Sequence, residues 1–372
     1  MVREEYRPSH MVSLSGQQLK LNTREDGEDV ARQIDECEYM HVLDLRGNTL
    51  GVEATGPIAK ALEFHPELQR ALWGDLFTGR LKEEIPRTLK SLTMALMDSG
   101  AQLVELDLSD NAIGPMAMPG LKDFLSSNSA SNLRVINFNN CGLGIAGKTI
   151  AECLIECHEN ALKHGRQFRL KKFIAGRNRL EQISTKALAN AFAKIGTLEE
   201  IVMPQNGIKA EGIKALAAAV SANPDLRVLN LNDNSFCRDG AMTMAEAFTN
   251  VDQLEVVDFG DCLCRSHGSV AIAEQLRHSR APLKSLNLTG NEIGYVAARQ
   301  ILERMRQVVG LESLKLGINC FGRQWPELAS LRATNIFLDI GHESDDEGTC
   351  PSECESEDNS CDTVNDEDDD DE

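Results

Sequence analysis

Leu226–Phe248 reads LRVLNLNDNSFCRDGAMTMAEAF: leucines at Leu226, Leu229 and Leu231, an asparagine at Asn234, a polar turn, then a helix-patterned run over Ala241–Phe248. A short strand points alternate side chains to one face, so the leucines are expected to turn inward and meet the helix that follows. The asparagine side chain both donates and accepts, which suits it to pairing backbone amides of neighbouring turns.

The same phrase recurs on either side. Its first leucine position falls at Met40, Leu68, Leu103, Leu133, Leu170, Leu198, Leu226, Leu254, Leu283 and Leu311. The asparagine column reads Asn48, Leu76, Asn111, Cys141, Asn178, Asn206, Asn234, Cys262, Asn291 and Asn319. All but Leu76 are Asn or Cys, the two types that a leucine-rich repeat carries there. Most steps are 28 to 30 residues, room for a full α-helix after each strand, and Ile213, Leu216, Ala217 and Val220 show the helical spacing. Two steps are stretched, to 35 residues after Leu68 and 37 after Leu133. Insertions in a solenoid gather on one face, often the binding face.

The expected fold is therefore an α/β leucine-rich repeat solenoid (horseshoe) of about 10–11 β-α repeats, with an inner parallel sheet and outer helices. Residues 1–14 read as a flexible N-terminus, 15–340 as the repeat domain with both caps, and 341–372 as a disordered acidic tail. Leu19-Lys20-Leu21 begins a degenerate first unit, and Asp26–Ile34 reads as a capping helix. At the other end Trp325, Leu328, Leu331, Ile336 and Phe337 are expected to close the core.

The net charge of −20 is unevenly spread over the 372 residues. Glu343–Glu372 holds 16 acidic residues and no basic one, leaving 42 acids against 38 bases elsewhere. A segment this polar has nothing to bury, and it either solubilises the chain or attracts a basic partner. Nucleic-acid binding is disfavoured, because phosphate contacts need a basic footprint. The eleven cysteines fall at ladder, helix and tail positions without a matching second half at zinc spacing, so no metal site is expected. Free thiols in this number suit a reducing compartment. The N-terminus lacks an apolar signal core and no run approaches 18 apolar residues, so a soluble cytosolic or nuclear protein with no membrane insertion is expected.

The residue before each asparagine position (Asp75, Asp110, Asn140, Arg177, Gln205, Asp233, Asp261) should stack into a row along one rim of the solenoid. Solvated edges are polar anyway, which accounts for the aspartates. It accounts less well for Arg177 and Arg179 in AGRNRLE, which follow a stretched spacer. The other insertion, GDLFTGRLKEEIP over 74–86, replaces the asparagine by Leu76 and carries Arg80 and Lys82 on a loop freed by Gly79. Arg80 there either pairs with Glu84 or is presented to a partner. No catalytic set emerges: the eight histidines are scattered, and both GxGxxG and GxxxxGK[ST] are absent.

The segments GDLFTGRLKEEIP, LVELDLSDNAIGP, NNCGLG, FIAGRNRLE, IGTLEEIVMPQNGI, LNLNDNSF and FGDCL resemble those of the RanGAP family, the GTPase-activating proteins for the small GTPase Ran. The resemblance runs from Leu19 to Asn319, and an acidic stretch after the repeats is also a family trait. It implies a GTPase activator with no nucleotide-hydrolysing site of its own: the chain binds Ran-GTP and stimulates hydrolysis, with Mg²⁺, GTP and the water-positioning glutamine all held by Ran. Such an activator either inserts an arginine finger or orders the GTPase's own groups. The resemblance favours the second. It implies that Asn140 helps order Ran's catalytic residues and that Arg80 is functionally important through docking or loop architecture. Lys82, Arg177 and Asp233 match further contact positions; Arg179, Asp110 and Asp261 join them on the rim. A monomeric chain is expected, with a Ran-binding protein as the candidate third member of the complex. Animal members of the family continue into a second globular domain that carries SUMO modification and anchors them at the nuclear pore. This sequence ends at Glu372, so a diffuse cytoplasmic location is expected, with nuclear presence open. The alternative is a protein-binding scaffold of the ribonuclease-inhibitor type that activates nothing.

Overall fold

The computed structural model describes residues 10–348; residues 1–9, and the acidic tail from residue 349 on with the disorder expected of it, lie outside the described residues. Twelve strands line up in sequence order into one parallel sheet. They are β1 (Met11–Ser13), β3 (Val42–Asp44), β5 (Arg70–Leu72), β6 (Glu105–Asp107), β7 (Val135–Asn137), β8 (Lys172–Ile174), β9 (Glu200–Val202), β10 (Val228–Asn230), β11 (Val256–Asp258), β12 (Ser285–Asn287), β13 (Ser313–Lys315) and β14 (Leu338–Asp339). A separate pair, β2 (Lys20–Leu21) and β4 (Thr49–Leu50), sits at the N-terminal end. The helices alternate with the strands: α1 (Arg24–Asp35), α2 (Val52–Leu62), α3 (Ile85–Asp98), α4 (Lys122–Leu125), α5 (Ala146–Lys163), α6 (Glu181–Ile195), α7 (Ala210–Ser221), α8 (Cys237–Ala247), α9 (Arg265–His278), α10 (Tyr295–Met305) and α11 (Trp325–Ser330). This is the α/β leucine-rich repeat solenoid.

The strand register is constant, so equivalent side chains stack. Val12, Leu43, Ala71, Leu106, Ile136, Phe173, Ile201, Leu229, Val257, Leu286, Leu314 and Leu338 form one unbroken column. All are buried. Each helix packs on the helix of the next unit, so one core runs the length of the coil.

The asparagine column holds the turns together. Asn206 donates from Nδ2 to the carbonyls of Ala175 (2.8 Å) and Met203 (3.0 Å), and its Oδ1 accepts from the amide of Asn178 at 3.0 Å. Asn234 repeats the set, accepting from Asn206 and Ile208 amides and donating to Met203 and Leu231 carbonyls. Where the column lacks asparagine, the backbone takes over the accepting half. The carbonyls of Leu76, Cys141 and Cys262 accept from the amides of Leu50, Ile113 and Phe236. The two cysteines keep the donating half: Cys141 Sγ donates to the Leu108 carbonyl at 3.0 Å and Cys262 Sγ to that of Leu231 at 3.2 Å. Burial pushes the Cys141 thiol up to about 12, so it stays protonated and able to donate.

The N-terminal boundary lies earlier than the sequence suggests. Met11–Ser13, inside the stretch expected to be flexible, pairs with β3 as the first strand of the sheet. Its unit escapes recognition because Ser9 and Gln17 stand where the next unit has Met40 and Asn48. The capping helix forms as expected, starting two residues sooner. Thr23 accepts from the Asp26 amide at 3.2 Å, and Asp26 accepts from the Thr23 amide at 2.8 Å, a capping box. At the other end Leu328, Leu338 and Ile340 are buried, but Ile336 is 98% exposed and takes no part in the cap. Strand alternation puts Leu338 and Ile340 on the inner face instead. Residues 341–348, assigned from sequence to the tail, turn back on the coil: Asp346 accepts from the amides of Phe321 and Gly322 at 2.8 and 2.6 Å.

On the outer face Glu274 gathers Arg277, Arg304 (2.5 Å) and His278 (2.9 Å). Arg277 above all, with Arg304 and His278, lowers its carboxyl from 4.5 to about 2. A depressed carboxylate contributes stability that is complete above its unfolded pKa and lost as pH falls toward the folded one. The stability difference between wild type and Glu274→Gln is therefore expected to be full above pH 4.5 and to vanish between pH 4.5 and about 2. Urea midpoints across that range test it. Because the cluster is solvent-facing, the effect is small, on the order of 1 kcal/mol.

Candidate partner-binding rim

At the C-terminal end of each strand the chain must leave the sheet sharply to reach its helix. The residue before the asparagine column makes that turn in the left-handed region: φ is +47° at Asp75, +58° at Asp110, +53° at Asn140, +57° at Arg177, +55° at Gln205, +55° at Asp233 and +51° at Asp261. Gly47 and Gly290 occupy the same column with φ of +72° and +66°. Asn, Asp and Gly tolerate this conformation best, which explains why they dominate the row. The turns are laced together by their own amides. Asp110 N–H donates to the Asn139 carbonyl, Asn140 to Gly176, Arg177 to Pro204 and Asp233 to Gly260, all at 2.8–2.9 Å. The backbone fixes the rim, and its side chains project at the edge.

The predicted residues fall into three groups along it. Asp110 and Asn140, on neighbouring units after β6 and β7, are exposed and joined: Asn140 Nδ2 donates to Asp110 Oδ1 at 2.9 Å. A carboxylate only accepts, so this contact sets which end of the Asn140 amide faces it and leaves the oxygen outward. Arg177, one strand further, and Arg179 are exposed, with no ion pair among the described residues. Asp233 and Asp261 lie beyond, on units three and four past Asn140, also exposed. Desolvation first, then the charges of Asp233 and Asp258, raise the Asp261 carboxyl. At a strand spacing of about 4.8 Å, Asp110 to Arg177 spans about 10 Å of rim and Asp75 to Asp261 about 30 Å. The edge is thus cationic near its middle and anionic toward the C-terminal end.

The inserted loop is tied to the rim by Thr78, whose hydroxyl donates to Asp75 Oδ1 at 2.5 Å. Lys82 is exposed near its tip. Arg80 behaves differently. It pairs neither with Glu84, which accepts from the Leu81 amide, nor with the Asn140 group. Its guanidinium turns back toward the N-terminal end, donating to Thr49 Oγ1 and to the carbonyls of Thr49 and Leu21. The residues that receive it, and an apolar strip, are not evident from sequence. Leu81, Met116, Ile145 and Ile183 are 69%, 54%, 51% and 61% exposed, on four consecutive units. Each lies four or five residues past the asparagine column, where the units on either side carry Glu53, Glu211 and Asp239, and a later unit carries the isolated Val296. That contrast is the signal by which they could have been found.

The family described as Leucine Rich repeat matches residues 102–115 and 281–301. Fold and rim together define the class: a leucine-rich repeat protein whose edge presents charged side chains on backbone-fixed turns. Ran GTPase-activating protein 2 of Caenorhabditis elegans is 51% identical over 346 residues, 91% of this chain and 36% of that one. Ran GTPase-activating protein 1 of Xenopus laevis is 52% identical over 198 residues, 53% of this chain and 34% of that one. Ran GTPase-activating protein 1 of Saccharomyces cerevisiae is 32% identical over 211 residues, 55% of this chain and 51% of that one. In its repeat region the chain belongs to the RanGAP family. It spans about a third of the length of the worm and frog relatives and half of the yeast one. No helix among the described residues is long and apolar enough to cross a membrane.

Proposed function

We propose that this chain binds Ran in its GTP state along the rim and accelerates GTP hydrolysis by ordering Ran's own catalytic groups. The observation that carries the reading is the 51% identity, over 91% of the chain, with a protein named for that activity. Ran brings the nucleotide, Mg²⁺ and the water-positioning glutamine; the activator brings a rigid edge. Asn140 is the group assigned to hold Ran's catalytic side chain. Its amide is preset by Asp110, with the oxygen left to accept a hydrogen bond, so little freedom is lost on binding. Arg80 has its Nε and Nη2 donors engaged within the chain, which supports ordering over an inserted finger, a device worth about 10³ to 10⁵ in rate where it is used.

Lys82, Arg177 and Arg179 supply cationic contacts, and Asp110, Asp233 and Asp261 anionic ones, which fix register more than affinity. The acidic tail speeds encounter with a basic partner, an effect that salt screens within about 8–10 Å. The reading includes a monomeric, cytoplasmic activator with a Ran-binding protein as the third member of the complex. Single-turnover hydrolysis of Ran-bound GTP, with the chain at a small fraction of the Ran concentration, tests it. An activator drives every Ran molecule to GDP; decay at the unaided pace overturns the proposal and leaves a scaffold.

A further inference from the structure

The socket around Arg80 is built from parts far apart in the chain. Nε donates to Thr49 Oγ1 at 2.8 Å, and Nη2 to the Thr49 and Leu21 carbonyls at 2.7 and 3.1 Å. These acceptors lie on β4 and β2, the two-stranded sheet of the N-terminal cap. The Thr49 hydroxyl donates in turn to the Thr78 carbonyl at 2.9 Å, so one threonine grips both the arginine and the backbone of its loop. Gly51 forms the wall. A Cβ on it would lie 2.9 Å from Arg80 Nη1 and 3.3 Å from Cζ. The Gly51 backbone, φ −94° and ψ 169°, is extended and open to any residue. The tightest obstacle to a side chain at Gly51 is therefore the arginine, whose flexible end can swing away; the Leu21 carbonyl, 3.3 Å from that Cβ, has to give by only a few tenths of an ångström.

We propose that Thr49 and Gly51 are positioning residues for GTPase activation. With the Leu21 carbonyl they lock Arg80, and through Arg80 they set the loop that carries Leu81 and Lys82 at the rim. Neither residue touches the partner; both act through the arginine. The inference rests on the Ran reading above, and it makes the capping unit part of the active surface.

The test uses the full chain and two readouts. Amide hydrogen exchange of residues 77–84 in the protein alone reports the lock, and multiple-turnover GTP hydrolysis by Ran reports its consequence. Gly51→Val and Thr49→Val are each expected to speed exchange in the loop. Each should lower kcat/KM by about tenfold or more, the scale of losing hydrogen bonds to a charged group, with thermal midpoints near wild type. Thr49→Ser, which keeps the hydroxyl, should restore both readouts. The Arg80→Ala/Gly51→Val double variant should lose no more than the larger single loss, because both changes open one lock. Faster exchange with undiminished activity overturns the proposal, as do additive losses. A rise in activity on releasing Arg80 also overturns it, because that is the behaviour of a finger. If Gly51→Val proves unfolded, the Thr49 pair decides alone. If wild type fails to stimulate Ran at all, the functional reading falls, and unchanged or faster loop exchange still judges the socket.

Discussion

Alanine at Asn140 will lower the saturated single-turnover rate of Ran-bound GTP hydrolysis by about 10²-fold, the cost of leaving a reacting group unheld. Half-saturating concentration should move little, because one exposed amide contributes little to a contact that spans the rim. Asp110→Ala should reproduce a smaller part of the loss, since it removes the partner that orients the amide and not the amide itself. Arg80→Ala is expected to raise KM as well, since it frees the loop that displays Lys82. A saturated rate untouched by Asn140→Ala would show that this residue does not order Ran's catalytic group. The assay must be run at saturating activator, where weaker binding no longer hides in the rate.

The largest expected loss of stability comes from the adjacent column. Asn206→Ala removes a fully buried side chain with bonds to Ala175, Met203 and Asn178. The Ala175 carbonyl and the Asn178 amide are then stranded without water, at about 1–3 kcal/mol each before relaxation, while the Met203 carbonyl keeps its bond from Asn234. A total of roughly 3–5 kcal/mol is expected, read as a shift in the urea midpoint. Cys262→Ala, where the backbone already supplies the accepting half, should cost less than half as much. Equal losses at the two positions would show that the main chain does not substitute for the missing asparagine oxygen. In a solenoid, stability is close to a sum of units and their interfaces, so the damage should also appear locally, as faster exchange in the units of β8 and β9.

The solenoid is legible in the sequence because each repeat writes its own fold locally. A leucine phrase, an asparagine and a helical stripe lie within 30 residues, and the parallel register follows once one unit is stacked on the next. The rim row is legible for the same reason: the residue before the asparagine must make the exit turn, and Asp, Asn and Gly betray the left-handed backbone. What hides from the sequence is long-range or degenerate. Arg80 lies 31 residues from Thr49 and 59 from Leu21, and no local pattern announces that its guanidinium will travel that far. The first strand hides because Ser9 and Gln17 break its phrase at both diagnostic positions. Ile336 looks like cap material by hydropathy alone, but strand alternation selects Leu338 and Ile340. The Asp110–Asn140 bond sits between these cases: the neighbours can be named from sequence, but their contact depends on side-chain directions that only the folded chain sets.

The exit turns are secured by main-chain amides and carbonyls, as in Asn140 N–H to Gly176 and Asp233 N–H to Gly260. None of that lacing consults the identity of the residue projecting there. The edge is consequently a row of nearly independent letters, rewritable one at a time at the modest backbone penalty of leaving Asn, Asp or Gly. A lineage, or an engineer, can retarget such a margin to a new client without reopening the question of whether the coil will fold.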